Sequence, residues 1–426
     1  MALKNKKVIG MVLFTAVILL IWRLAYSIQI PLIDREMLGS NSELFGFLDI
    51  FSGGALSNYS IVALGVSPYI TASIVIQLLQ MDIIPTLKEW SEEGETGKKK
   101  ISQVTRYLAL GLAFIQALTI TVGLAAYYDS SMMFKTGVDV NAFTYVFLAL
   151  VLTAGTAFVL WLAEKISLRG IGNGTSMFIV AGIVSSFPGM IDALLKQYIM
   201  IDDAQFVDII LFFVVLLLLV LIIVGVVFME AAKRKIPVQY ANRPASAAFR
   251  GKGDSNIPIK LNSASVIPVI FASTLMSLPA TIVNFLDQSS NAKYWLNQIF
   301  DYSQPIGFVL YIVLIFVFSF FYSFLQMNPE KMAENLQKQN AYIPGVRPGA
   351  ETASYISRVL FKITMVGAIY LSLIASIPIV MQRIFNLDNR IQIGGTSLII
   401  VVGVAIETAK QLKTQSQDKQ YRGFIE

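Results

Sequence analysis

GGALSNYSIVALGVSPYITASIVIQLLQ, residues 53–80, lies within a run from Ile50 to Met81 that contains no charged residue. As one continuous helix at about 1.5 Å per residue, that run would exceed a hydrocarbon core of roughly 30 Å by more than half. The stretch itself argues against one helix. It opens on Gly53-Gly54, turns polar at Ser57, Asn58 and Ser60, and carries Gly65 and Pro68 in its middle, residue types that interrupt a helix rather than extend it. It divides into a small-residue segment, a break, and a spanning helix beginning near residue 67.

The surrounding chain sets that stretch in a membrane. Of 426 residues 55% are hydrophobic and 14% charged, with a mean hydropathy of +0.66, whereas soluble domains carry about a quarter charged residues. The sequence contains no Cys and no His, which removes thiol nucleophiles, disulfides, His-ligated metals, His-based triads and haem together. No cofactor is implied. Lys4, Lys6 and Lys7 precede an apolar run from Val8 to about Ile28. It is too long for a signal h-region and no small-residue cleavage site follows, so it is expected to stay in place as a first span.

Apolar stretches of spanning length fall at about 8–28, 67–84, 105–128, 143–163, 173–191, 207–229, 264–286, 305–327, 357–382 and 393–409. With the N-terminus in the cytoplasm, 26 of the 33 Lys and Arg fall on the cytoplasmic side. Cations are retained there, so both termini are expected inside. Ten spans divide into five and five near residues 190–206, and an odd number per half forces the halves into opposite topology, as in inverted-repeat transport proteins. The expected fold is thus an all-α polytopic membrane protein of two inverted five-helix halves, 1–195 and 196–426. The uncharged segment at about 50–64 would be re-entrant.

Two loops are out of scale with the others. Residues 230–262 are basic and contain an expected strand around Val238 to Tyr240; residues 328–356 begin helix-like at NPEKMAENLQKQ and end in a Pro- and Gly-rich tip around Arg347. Loops this long are usually functional or disordered. A cation-rich face held against anionic lipid needs only Lys and Arg; a shaped, Pro-braced loop fits a docking surface for a large partner.

The spans carry almost no ionisable residues, unlike those of proton-coupled transporters or intramembrane proteases. Glu164, Glu230 and Glu407 lie at helix ends and read as interfacial; Arg23, deep in the first span, is placed to snorkel or pair. Gly94-Glu95-Thr96-Gly97-Lys98 lacks the glycine spacing of a phosphate loop and fits a charged hairpin. Alone, RGIGNG, residues 169–174, is a tight turn into a helix. No catalytic site emerges.

Taken together, GGALSNYSIVALGVSPYITASIVIQLLQ, RGIGNGTSMFIVAGIV, PVQYANR, VIPVIFASTLM, NPEKMAENLQKQNAYIPGVRPG and GGTSLIIVVGVAIETAKQL occur in the order seen in the SecY family. That family is the central subunit of the bacterial protein-conducting channel, and the chain resembles it over essentially its whole length. The resemblance implies a clamshell in the cytoplasmic membrane, with an hourglass pore and a seam that opens sideways to lipid. It also implies SecE and SecG, the SecA motor, the ribosome, signal sequences and nascent or preprotein chains as partners. By match, the pore ring is Val66, Ile70, Ile179, Ile270 and Ile400. The plug would include Gly53, Gly54, Ala55, Leu56, Ser57, Asn58, Tyr59 and Ser60; the lateral gate, Thr71 and Leu278 by match, with Gln116 on the third span as a polar partner; and Arg243 and Arg347 match basic residues that resemble the family's motor and ribosome contacts. The chain departs from the family in its short N-terminal segment, in Thr175 within GNGTS, and in PASAAFRGKGD after Arg243. An accessory paralogue for specialised substrates and a secondary small-molecule transporter are the alternatives.

Overall fold

The computed structural model describes residues 6–33, 55–56, 59–80, 83–128, 134, 141–200, 206–240, 255–264, 266–283, 291–301, 304–385 and 395–422. In chain order the elements are α1 (Lys6–Tyr26), α2 (Ser67–Leu79), α3 (Pro85–Glu92), α4 (Glu95–Tyr128), α5 (Ala142–Arg169), α6 (Gly174–Tyr198) and α7 (Phe206–Ala231). Then follow β1 (Lys233–Tyr240), β2 (Ser255–Lys260), α8 (Ile267–Val283), α9 (Asn291–Phe300), α10 (Pro305–Gln326), α11 (Pro329–Lys338), β3 (Ala341–Tyr342), α12 (Ala350–Phe385) and α13 (Gly395–Arg422). Helices stand at all ten places where the apolar stretches predict them. Among the described residues α1, α4, α5, α6, α7, α10 and α12 are long and apolar enough to cross a membrane, while α2 and the described apolar part of α8 are shorter. The chain is an all-α polytopic membrane protein with one small sheet.

Two helices begin well before the expected spans, whereas α2, Ser67–Leu79, is shorter than the stretch at 67–84 that announces it. α4 begins at Glu95 and α12 at Ala350, ten and seven residues before the apolar stretches that announce them. A helix satisfies its own backbone whether or not its side chains are apolar, so polar turns extend it beyond the hydrophobic signal. Local chemistry sets several starts. The Asn173 side chain accepts from the Thr175 amide at 3.1 Å and its hydroxyl at 2.8 Å, opening α6. Asn328 Oδ1 accepts from the Glu330 and Lys331 amides at 3.1 and 3.2 Å, with Pro329 in the first turn of α11. Thr175, one of the departures from the family pattern, thus completes a cap.

The two long loops fold as one body. β1 pairs antiparallel with β2, Ile236 opposite Ile257, and with β3, Gln239 opposite Tyr342. Strand alternation sends Ile236 and Val238 inward. There they meet Ile259, Leu336, Ile343, Ile356 and Leu360 in a separate apolar cluster. The expected strand at Val238–Tyr240 is the end of a longer one, and its partner β2 had no signal of its own.

α4 packs on α2 and α5, and α5 on α1 and α6; later in the chain, α10 packs on α8 and α12, and α7 and α12 on α13. The two sets meet on two sides. On one, α6 touches α7 and α13, the Tyr198 hydroxyl donates to the Phe385 carbonyl at 3.1 Å, and the Gly172 amide donates to Gln411 Oε1 at 3.0 Å. On the other, α2 faces α8 and α10.

Candidate functional site

The segment before α2 is not helical. Short turns stand at Ala55–Leu56 and from Tyr59 to Val66, tied by Ser60 N to Ala55 O at 3.1 Å, Ala63 N to Ser60 O at 3.0 Å and Gly65 N to Val62 O at 2.9 Å. Gly65 has φ +54°, a left-handed conformation that is cheap for glycine and ends the turns before Pro68 starts α2. Two further bonds fasten the segment to the chain leaving α1: Ile30 N donates to Tyr59 O and Ile61 N to Ile28 O, both at 3.0 Å.

This segment is almost wholly buried. Ala55 and Ser60 are fully covered, with Leu56 and Tyr59 at 2% and 4% exposure. It has two apolar faces: Leu56, Tyr59, Ala63 and Leu64 join a cluster with Ala117, Leu124, Leu148 and Leu152 of α4 and α5, whereas Ala55 and Val62 belong to the central cluster of the molecule. Gly155 of α5 is where the backbone comes closest. A Cβ added there would lie 1.9 Å from the Ile61 carbonyl oxygen. Of the residues assigned to the plug, Gly53, Gly54, Ser57 and Asn58 lie outside the described residues.

The central cluster gathers the assigned ring positions. Val66, Ile179 and Ile400 are buried at 1%, 5% and 2% exposure within it, and Ile70 and Ile270 pack half-buried against the same cluster. They come from the start of α2 and from α6, α8 and α13, four helices distant in sequence. Ala55 and Val62 of the turn segment share that cluster.

Beside the ring, Ile70 and Ile74 of α2 share a smaller cluster with Ala264, Ile270 and Phe271, and with Phe318, Phe321 and Tyr322 of α10. Phe271 meets Tyr322 edge-on at 4.8 Å between ring centroids. Across this apolar contact the Tyr322 hydroxyl donates to Gln77 Oε1, and the Gln77 amide nitrogen donates to Ser73 Oγ at 2.9 Å. At the polar end of the same face, Lys331 of α11 stands 3.6 Å from Glu92 of α3. Thr71, the assigned gate hydroxyl, donates within its own helix to Ser67 O at 3.3 Å. Gln116 is half-buried on α4, and the Leu278 side chain lies outside the described residues. Gln77 was the overlooked position; a single amide inside SIVIQLL was its signal.

Arg106 and Glu164 make a two-pronged pair at 2.9 and 3.1 Å between α4 and α5. Glu407 is exposed, but Glu230, expected at the interface with them, is buried at 3% exposure. Arg23 rests its guanidinium over the Tyr26 ring at 4.2 Å. Arg347 is exposed on the turn before α12, its carbonyl accepting from Thr352 Oγ1 at 2.8 Å; Arg243 lies outside the described residues. On α11, the hydrogen bond from Lys338 holds the exposed Glu334 carboxyl below its usual value.

A family model described as SecY matches residues 60–409. The protein translocase subunit SecY of Halalkalibacterium halodurans is 45% identical over 417 residues, covering 97% of this chain and 96% of that protein. The protein of the same name from Bacillus subtilis is 44% identical over an equal length and equal shares. Among solved structures, one titled as the structure of a protein-conducting channel superposes with a TM-score of 0.66 at 19% identity, covering 96% of this chain and 92% of the other. Sec61 in a canine ribosome–channel complex gives 0.63 at 18% identity with the same coverage. The fold is therefore that of these channels, and the chain, matched along nearly its whole length, belongs to the SecY family.

Proposed function

We propose that this protein is the channel-forming subunit of a Sec translocon. It passes unfolded secretory chains across the bacterial cytoplasmic membrane and releases membrane-protein helices sideways into lipid. The two sets of helices act as the halves of a clamshell, hinged where α6 meets α7 and α13 and parting between α2 and α8/α10. Both termini lie in the cytoplasm. The channel is passive and not an enzyme; SecA or the translating ribosome supplies the energy, and SecE and SecG complete the assembly.

One observation carries this reading. Aliphatic residues from four separate helices gather in one buried cluster, and Ala55 and Val62 of a non-helical segment share it. Irregular backbone is tolerated at membrane depth where protein surrounds it, and a seal that must yield to any passing sequence is best made of yielding apolar side chains. The 44–45% identity to named translocase subunits supports the same function. A secondary transporter would instead need a coupling-ion or substrate site, with ionisable groups inside the spans. Co-reconstitution with SecE, SecG and SecA, followed by protease protection of a preprotein, separates the two: ATP-dependent protection is expected. Solute uptake without preprotein entry would establish the transporter instead.

The exposed position of Arg347 supports a docking role. Arg347 projects from a turn braced by α11, β3 and α12, and its guanidinium suits carboxylate or RNA phosphate alike. Arg347→Glu is expected to cut SecA-driven export at least tenfold while the chain still inserts in the membrane, measured as preprotein protection per copy of channel. Unchanged export would remove this contact.

A further inference from the structure

We infer that Glu230, at the end of α7, is the charged joint between the sheet body and α13, and that it carries the movement of a docked motor to the ring. The inference rests on the channel reading and deepens it by naming the link from docking surface to seal. Glu230 is 3% exposed and stands three residues before β1 begins. A carboxylate so far from water needs cations around it. The sheet supplies two. Its register puts Lys233 of β1 directly opposite Lys260 of β2, a like-charged pair that repels across the strands unless an anion is shared between them. Lys410 of α13 stands in electrostatic range of both lysines, of Glu230 and of Glu407. Three cations from three elements thus meet two carboxylates, and of the five side chains only Glu230 is buried.

The sheet body is joined to α12 in a different way. Ile356, Leu360 and Ile363 of α12 lie in its apolar cluster, and Val346, beside Arg347, packs on the same cluster. At Gly367 of α12 an added Cβ would lie 3.0 Å from the Leu261 carbonyl oxygen, while the Leu261 amide donates to Ala232 O at 3.0 Å and closes the base of the sheet. Packed contacts of this kind lose much of their attraction over a gap of about 0.5–1 Å. Attraction between charges falls only with the inverse of distance. The body therefore moves with α12 as a unit, whereas its hold on α13 persists while α13 shifts. Lys410 follows the ring residue Ile400 by ten residues on α13, about 15 Å along the axis. A motor that displaces Arg347 thus displaces the base of the sheet, and Glu230 and Lys410 pass that displacement to Ile400.

The test separates charge from shape. Glu230→Gln keeps the size of the side chain and removes its charge; Glu230→Asp does the reverse. Each is made beside Ile400→Cys, the only thiol of a chain without native cysteine, and reconstituted with SecE and SecG. SecA affinity is measured by titration, and ring opening by the maleimide labelling rate of Ile400→Cys with SecA and a non-hydrolysable ATP analogue against that without. Glu230→Gln is expected to keep SecA affinity within about twofold and to cut the stimulation of labelling about tenfold, inside the roughly 5- to 150-fold range of coupling between linked sites. Glu230→Asp is expected to keep parental stimulation. Lys410→Gln, at an exposed site, should reproduce the loss from α13, so the joint is testable even if Glu230→Gln does not assemble. Parental stimulation in Glu230→Gln or Lys410→Gln, or a loss in Glu230→Asp equal to that in Glu230→Gln, would overturn the joint. A loss of SecA affinity in step with stimulation would overturn it too, because docking itself would then be damaged. A parental complex whose ring SecA never exposes would overturn the channel reading, and the inference with it.

Discussion

Gly155→Ala is expected to unseat the turn segment and leave the closed channel leaky. The added Cβ would lie 1.9 Å from the Ile61 carbonyl oxygen and 2.7 Å from its carbon, so one backbone must move. α5 is the harder to shift, because it is a 28-residue helix packed on α1, α4 and α6. At that point the turn segment is tied to the chain leaving α1 by the bond from Ile61 N to Ile28 O and its neighbour from Ile30 N to Tyr59 O. Overpacking of this sort costs about 1–3 kcal/mol, which would shift the seated fraction by roughly 5- to 150-fold. The readout is resting ion conductance of the reconstituted complex without preprotein. Gly111→Ala is the matched control, since nothing lies within 4 Å of a Cβ at that helical glycine of α4. Equal conductance in the two variants would mean that Ile61 does not hold the seal.

Ile400→Asn should have an effect of similar size by a different route. Ile400 is 2% exposed inside the central apolar cluster, and burying an amide there without a partner costs about 1–3 kcal/mol on mutational scales. The closed arrangement is destabilised relative to any in which the amide meets water. The constriction also becomes wettable. Higher resting conductance and acceptance of weaker signal sequences are expected together, with Ile270→Asn behaving alike from α8. Ile400→Val, which removes one methylene at a cost of about 1 kcal/mol, should stay sealed. If both Asn variants keep parental conductance and stringency, these positions are not the constriction.

Much of this architecture is legible in the chain because membrane helices announce themselves by local composition. The ten apolar stretches, the break at Gly65 and Pro68, the helical start of the 328–356 loop and the turn around Arg347 all rest on signals within a few residues. The short helices α3 and α9 went unmarked, being too short and polar for a hydropathy reading. What joins distant segments is harder to read. β2 is recognisable only once β1 and β3 flank the shared cluster under them. The need for glycine at 155 comes from a carbonyl 94 positions earlier in the chain, and within α5 alone it looks like an ordinary small residue. The polar contact between α2 and α10 joins residues 245 apart, so Thr71 stands out by resemblance and Gln116 as a polar residue on the next span, while Gln77 does not.

The central claim is that a translocating chain passes through the ring formed by α2, α6, α8 and α13. It can be tested by arresting a preprotein with one cysteine mid-translocation and asking which channel thiols it reaches. With no native cysteine in the background, Val66→Cys, Ile179→Cys, Ile270→Cys and Ile400→Cys are made one at a time, beside Leu217→Cys on the exposed face of α7. Disulfides from all four ring positions and none from Leu217 are the predicted result. A preprotein that crosses the membrane yet bonds to none of the four would contradict the account.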